Sequence, residues 1–372
     1  LAGVSLCNDV ASEMIYPLLP PFVAGLGGGP AILGLIDGAS DFAAATLRWW
    51  SGRAADRSGT RGPLLGGGYL LANLVRPVLA LATAAWQVVA IRVVDRIGKG
   101  LRSPARDALI ADLTPSPLLG KAFGLHRSAD HLGAVLGSLL AFELLRRGWP
   151  IREIFAASLA PGAAALLLLA VALRLARRGG PAAAGEERSR SRTSDPPAAG
   201  LVWLAALAAV RFPEALLLFR LQELGAPIPS LPLVWAVLHV VRSLASYPSG
   251  LVADRLGSRP ALLLGALLHG LALIGLGVTG SPALALALFL GNGVVLGITE
   301  PAERAAIARL APDKRGSAFG RYQALAGLGA LAAGVAFGWG YQALGPLAIL
   351  AIAAALGLGV AAVGRREWGR KV

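Results

Sequence analysis

Apolar residues run in long blocks along this chain, divided by short polar stretches. Each block is near 20 residues, the length that carries a helix across roughly 30 Å of hydrocarbon. The pattern predicts twelve helices, over about 2–25, 30–51, 62–82, 85–110, 118–145, 151–173, 200–223, 229–250, 260–278, 282–310, 316–342 and 345–363. The expected fold class is all-α and integral to a membrane. The pattern fails once, from Arg177 to Gly200, where the chain is polar and rich in Arg, Pro, Gly and Ala. That stretch is too polar to cross a bilayer and is expected to be a linker. The expected domains are residues 1–176 with six spans, a linker at 177–199, and residues 200–372 with six spans and a short tail.

The two halves repeat one another. Gly52-Arg53-Ala54-Ala55-Asp56-Arg57-Ser58-Gly59-Thr60-Arg61 returns 198 residues later as Gly250-Leu251-Val252-Ala253-Asp254-Arg255-Leu256-Gly257-Ser258-Arg259. Pro104-Ala105-Arg106-Asp107 aligns with Pro301-Ala302-Glu303-Arg304, Ala122-Phe123-Gly124 with Ala318-Phe319-Gly320, and Gly133-Ala134 with Gly329-Ala330. The order is the same in both halves, so two parallel six-span bundles are expected, related by an axis along the membrane normal. Duplicated membrane domains around a central cavity are the architecture of secondary transporters.

Composition agrees with a membrane chain. Hydrophobic residues make up 55%, charged residues 15%, and mean hydropathy is +0.64. A soluble chain carries about 25% charge. The net charge of +14 does not point to nucleic acid, because the bases are sorted by loop and no aromatic-plus-basic motif accompanies them. Alternate loops hold them: Arg53, Arg57, Arg61; Lys121; Arg177 to Arg192; Arg255, Arg259; Lys314, Arg315; and the tail from Arg365. Basic loops stay inside, which predicts a multi-pass protein of the inner (plasma) membrane with both termini and the linker cytoplasmic. The chain opens inside an apolar segment, and no cleavable signal peptide is read there. A single cysteine, Cys7, excludes an internal disulfide and a cysteine-based zinc cluster.

The doubled phrase resembles G-x-x-x-D-R-x-G-x-R, the loop signature of the major facilitator superfamily (MFS), and the resemblance covers essentially the whole chain. Gly52 and Gly59 permit tight turns, and Asp56 suits a helix N-terminus, whose dipole favours an anion. The resemblance implies that Gly52, Asp56, Arg57, Arg61, Gly250, Asp254, Arg255 and Arg259 form a conformational latch. Span four resembles the family's R-x-x-x-G motif with Arg92 at the Arg position, which implies a role for Arg92 in proton coupling. Asp95 stands where Gln is usual and Arg96 where Gly is usual, and the added charge argues against a hydrophobic-drug substrate. Span five resembles the family's antiporter motif, with Ser138 where Pro is expected. Antiport is favoured over symport.

Charge inside a span is costly, so its distribution marks the polar cavity. Spans three, six, nine and twelve are nearly bare, holding only Arg76 and His269 away from their ends. Asp9 with Glu13, and Asp37 with Asp41, are i,i+4 pairs on single helix faces. Arg92, Arg96, Lys99 and Arg106 form a stripe along span four, and Arg127, Asp130 and His131 share a face of span five. The first half thus sets six acids against four bases, and an acid without full counter-charge would carry a proton. Glu13, Asp41, Asp37, Asp9 and Arg92 are the expected proton-coupling residues. Arg96, Asp95, Arg127, Asp130, His131, Arg211, His239 and Arg242 are the expected substrate contacts.

The basic residues Arg211, His239 and Arg242 favour an anionic or zwitterionic small-molecule solute, moved by alternating access and coupled to protons. Two alternatives stay open. A divalent metal ion could use Asp9, Glu13, Asp37, Asp41 and His131, although the nearby arginines oppose a cation. An amphiphile or lipid-like substrate is the other. No catalytic or P-loop motif appears, so no enzyme is expected. No cofactor and no resident metal are implied. The expected partners are the solute, protons and membrane lipids, and one chain suffices for the fold.

Overall fold

The computed structural model describes residues 1–55, 61–114, 119–178, 198–256, 258–310 and 315–368. Most of the expected linker, 177–199, lies outside them. Among the described residues every regular element is a helix: α1 (Ala2–Glu13), α2 (Leu19–Gly25), α3 (Pro30–Ala55), α4 (Arg61–Val75), α5 (Ala85–Leu113), α6 (Leu119–Arg146), α7 (Ile151–Ala157), α8 (Leu159–Arg178), α9 (Ala198–Ala209), α10 (Glu214–Glu223), α11 (Leu231–Leu256), α12 (Ser258–Val278), α13 (Pro282–Leu310) and α14 (Arg315–Trp368).

Eight segments among the described residues are long and apolar enough to cross a membrane. The longest, Ala318–Gly364, spans 47 residues. It breaks at Gly345, whose φ of 79° suits glycine, and Pro346 follows. Two expected spans lie on either side of that break. Helices α3 and α5, at 26 and 29 residues, have the length to cross but fall short in apolar character.

The first span of each half is not the continuous helix the apolar pattern predicts. Span one stops at Glu13, passes through a 3-10 turn at Tyr16–Leu18, and resumes as α2. Pro17, Pro20 and Pro21 explain the break, since proline offers no N–H and clashes with the preceding turn. Span seven stops at Ala209 and restarts at Glu214, with Pro213 as the N-cap of α10. Glu13 and Arg211, 198 residues apart, therefore both sit at interruptions. Backbone groups freed by such breaks need partners from side chains or a lined cavity.

The helices gather into two compact units. One holds Leu1–Leu18 and the chain from Ala43 through α8; the other holds Leu19–Phe42 with α9 to α14. In the first unit α1 packs on α6 and α8, and α4 on α5. The α1–α6 approach depends on Gly133 and Gly137, one turn apart. A Cβ at Gly133 would stand 2.6 Å from the Leu6 carbonyl oxygen, and one at Gly137 only 2.4 Å from that of Val10. In the second unit α11 and α12 pack on α13, and α9 and α12 on α14. Its core gathers Leu201, Trp203, Leu204, Leu262, Ala302 and Ile307.

Candidate functional site

Helix α5 carries the charge of the first unit. Asp95, Lys99, Arg102 and Arg106 stand at i, i+4, i+7 and i+11, so they share one face over about 16 Å of helix. Helix α1 contributes Ser5, Asn8, Asp9 and Ser12 at helical spacing, and Ser5, Asn8 and Ser12 are buried. Helix α4 contributes Tyr69 and Asn73. Arg76 follows it, at the start of a 3-10 turn with Pro77 behind it.

The layer at Asp95 is paired, although Arg92 Nε has no hydrogen-bond partner among the described residues. Arg76 Nε donates to Asp95 Oδ1 at 2.8 Å, and Arg92 Nη1 donates to Asp95 Oδ2 at 3.1 Å. Arg76 Nη1 also reaches the Asn8 carbonyl at 3.0 Å, Asn8 Oδ1 at 3.0 Å and Asn73 Oδ1 at 3.2 Å. The Arg92 guanidinium lies 5.7 Å from the centre of the Tyr16 ring. No member of the trio is more than 2% exposed. Solvent cannot stabilise these charges, so each depends on the others.

Further along α5 the pairing thins. Asp9 accepts a hydrogen bond from Asn8 Nδ2 at 3.0 Å and has Asp130, Lys99, Arg102 and Glu13 as charged neighbours. Arg102 is 3% exposed and lies 4.7 Å over the Tyr69 ring. The ring reaches it because α4 and α5 nearly touch: a Cβ at Gly98 would meet the Gly68 carbonyl oxygen at 2.6 Å. At the far end Arg106 Nε donates to Asp107 Oδ1 at 2.9 Å, and its Nη1 lies 3.5 Å from Ser5 Oγ. Ser5 Oγ donates to Asp130 Oδ1, and His126 Nε2 stands 3.6 Å from the same oxygen.

In the second unit the charges at the span-seven break are taken up. Arg211 Nη2 donates to Glu303 Oε2 at 2.8 Å, and the Tyr322 hydroxyl donates to Glu303 Oε1. Arg242 Nη2 donates to Glu214 Oε1 at the first residue of α10. The Ala215 N–H donates to Asp37 Oδ2 at 3.0 Å, so Asp37 caps the N-terminus of α10, where an anion is favoured. His269 Nδ1 and Asn292 Oδ1 are 2.7 Å apart. Arg211, His269 and Thr299 border a cavity of about 30 Å³, room for a single water.

The expected site residues are therefore divided. Asp95 and Arg92 meet, and Asp9 lies near Asp130 and Glu13. Glu13 is half-buried, and its carbonyl oxygen is 3.5 Å from Ser138 Oγ. Arg96 and His131 are half-buried, whereas Asp41 and Arg127 are exposed. His239 meets the edge of Trp235, ring centres 5.1 Å apart. Of the expected latch, Gly52, Arg61 and Arg259 are half-buried. Asp56 and Arg57 lie outside the described residues, as do the side chains at Gly250, Asp254 and Arg255.

Sequence reasoning passed over Arg76, Arg102, Asn8, Asn73, Glu303 and Tyr322 as site residues. Arg102 had a signal, since it fills the α5 stripe between Lys99 and Arg106. Arg76 had one too, as a lone charge in an otherwise bare span. The asparagines and the tyrosine had none, because neutral side chains cost little enough in a span to go unmarked.

Membrane-crossing helices, an internal duplication and buried ionic groups at broken helices define a secondary transporter. The chain belongs to the Major Facilitator Superfamily, whose profile matches residues 1–221 and 212–366. It is 25% identical over 350 residues to an uncharacterized MFS-type transporter of Methanocaldococcus jannaschii, covering 91% of this chain and 87% of the relative. Over 134 residues it is 33% identical to the multidrug resistance protein MdtH of Photorhabdus laumondii, covering 36% of this chain and 33% of that one. The nucleoside transporter NupG has the same fold, with a TM-score of 0.77 at 12% identity, over 99% of this chain and 98% of that one.

Proposed function

We propose that this transporter moves a small polar solute, anionic or zwitterionic, by alternating access coupled to protons, with antiport as the mode. One observation carries the reading. Helix α5 bears Arg92, Arg96, Lys99, Arg102 and Arg106, while Asp95 is its one fully buried carboxylate among the described side chains and already holds two arginines. A positive interior of this kind favours a solute that brings negative charge. The pairing of Arg211 with Glu303 and of Arg242 with Glu214 shifts anion recognition toward α5. Proton coupling falls to Glu13, at the break of span one, and to Asp9, which has a second carboxylate, Asp130, beside it. A proton on such an acid changes the charge that must be balanced when the protein changes state. The doubled loop motif is assigned the latch, and both termini the cytoplasm.

The divalent-ion alternative requires acids to converge, and among the described residues no three His, Cys, Asp or Glu side chains do so. The test is proton flux. The protein is reconstituted in liposomes with an internal pH dye and offered organic anions, organic cations and divalent metals, wild type beside Glu13→Gln. A pH change driven by anions in wild type and absent in Glu13→Gln is expected. A response to cations or metals alone would overturn the solute class. Labelled uptake without any pH change would overturn coupling.

A further inference from the structure

The α5 stripe contains two cations that no carboxylate holds among the described residues. Arg102 is 3% exposed, yet its Nε and Nη1 have no hydrogen-bond partner there. The Tyr69 ring, 4.7 Å away, supports the face of the guanidinium and offers Nε and Nη1 no in-plane acceptor. Lys99 lies one turn earlier, at i,i−3 from Arg102 and thus on the same side of the helix. Its ammonium makes no ion pair or hydrogen bond among the described residues, and Arg96, Arg48, Asp9 and Arg102 are the charges around it. The layers on either side differ. Asp95 binds two arginines above, and Arg106 binds Asp107 below. The Asp9 carboxylate is among the charges around Lys99 and Arg102, and makes no ion pair with either among the described residues.

A guanidinium this far from solvent with idle donors is costly. The layers on either side do supply carboxylates, Asp95 to Arg76 and Arg92 and Asp107 to Arg106. Two cations on one helix face, one stiffened by an aromatic ring and one on a flexible stem, match an oxyanion with more than one oxygen.

We propose that Lys99 and Arg102 are the seat of the solute's anionic group, a carboxylate or phosphate, with Tyr69 positioning Arg102. The proposal rests on the reading of an anionic solute and narrows it to two residues. Asp9, with Asp130 and Glu13 beside it, is a carboxylate near both cations and competes with the anion for them.

The test is binding to the purified protein in nanodiscs by titration calorimetry, with inorganic phosphate, succinate, glycine and choline as probes. Wild type, Lys99→Gln, Arg102→Gln, Arg102→Lys and Arg146→Gln, an exposed residue paired with Glu143, are compared, each first shown to be monodisperse. Wild type should bind phosphate or succinate and not choline. Lys99→Gln and Arg102→Gln should each weaken that binding at least ten-fold, Arg102→Lys should weaken it less, and Arg146→Gln should leave it within two-fold. Repeating the titration in neutral phosphatidylcholine and in anionic phosphatidylglycerol discs separates a lipid headgroup from a free solute. A headgroup occupant would lower apparent affinity for the probes in the anionic discs, whereas a soluble occupant would bind equally in both.

Anion binding that survives both glutamine substitutions would overturn this seat while leaving the anionic solute standing. Absence of anion binding in wild type, with choline bound instead, would overturn both. If Arg102→Gln does not stay folded, Lys99→Gln, whose half-buried ammonium is easier to replace, decides alone.

Discussion

The two units treat one repeat-equivalent position in opposite ways. Asp95 on α5 and Asn292 on α13 are 197 residues apart, matching the offset of the flanking Pro104 and Pro301. Asp95 is clamped by Arg76 and Arg92, with Arg76 reaching across from the preceding span. Asn292 receives His269, also from the preceding span, through a single contact of 2.7 Å. Both copies tie neighbouring helices of their own unit. One tie is ionic and the other is a side-chain hydrogen bond. The interruption of the first span shows the same inversion, with Glu13 in one half and Arg211 in the other. Duplication supplied the framework of polar ties, and their charge then diverged. A charged tie commits its unit strongly, because breaking it strands buried ions, whereas an amide–imidazole tie can break at the cost of one hydrogen bond.

The most severe way to break this contrast is to make the first unit resemble the second. Asp95→Asn leaves Arg76 and Arg92 buried without a counter-charge. Removing one partner of a buried ion pair costs about 3–5 kcal/mol. Thermal unfolding in detergent should show a large loss of stability, or the protein should fail to accumulate in the membrane. Asn292→Ala should cost only about 1 kcal/mol, the scale of one hydrogen bond with its desolvated partner. Equal losses from the two substitutions would show that the ties are equivalent and the comparison empty.

A smaller effect is expected at the second unit's own ionic link, Arg211 with Glu303. The Arg211 side chain is 27% exposed, so solvent screens part of the interaction. A double-mutant cycle of Arg211→Gln and Glu303→Gln should give a coupling of about 0.5–3 kcal/mol. Because Tyr322 also holds Glu303, Arg211→Gln should destabilise less than Asp95→Asn. Additive single mutants would mean that the link contributes nothing and would leave Arg242 with Glu214 as the ion pair at the second unit's broken helix.

These contrasts were only partly legible in the sequence. Apolar blocks are set by the thickness of hydrocarbon, a constraint that acts on each segment regardless of its neighbours. That is why most helices fall where the pattern places them. The interruptions at Glu13 and Arg211 were hidden, because a proline in an apolar run can kink, end or merely start a helix, and neighbouring helices decide which. The charges themselves were conspicuous, since burying them is costly. Their partners were not, because pairing depends on how each helix is rotated about its axis. Asp37 and Asp41 illustrate this: four residues apart on α3, one is half-buried and caps α10 while the other is exposed. Arg76 shows the limit of reading a span as peripheral from its bareness. Its single charge reaches inward to Asn8, Asn73 and Asp95.

The smallest expected effect concerns Asp37, and it separates two roles that sequence alone leaves joined. As a cap, Asp37 accepts the Ala215 N–H at the start of α10 and needs only an acceptor oxygen there. Asn retains that oxygen, so Asp37→Asn should change stability by a few tenths of a kcal/mol, whereas Asp37→Ala should cost about 1 kcal/mol. As a proton carrier, Asp37 would need an ionisable carboxyl, and both substitutions would abolish coupling alike. Unfolding temperature and substrate-driven proton flux, measured on both variants, distinguish the roles. Flux that survives in Asp37→Asn assigns the residue to the α10 terminus and leaves coupling with the first unit's acids. Flux lost in Asp37→Asn with stability intact would instead place an ionisable group beside the broken span of the second unit, and the division between a charged first unit and a neutralised second one would fail at that point.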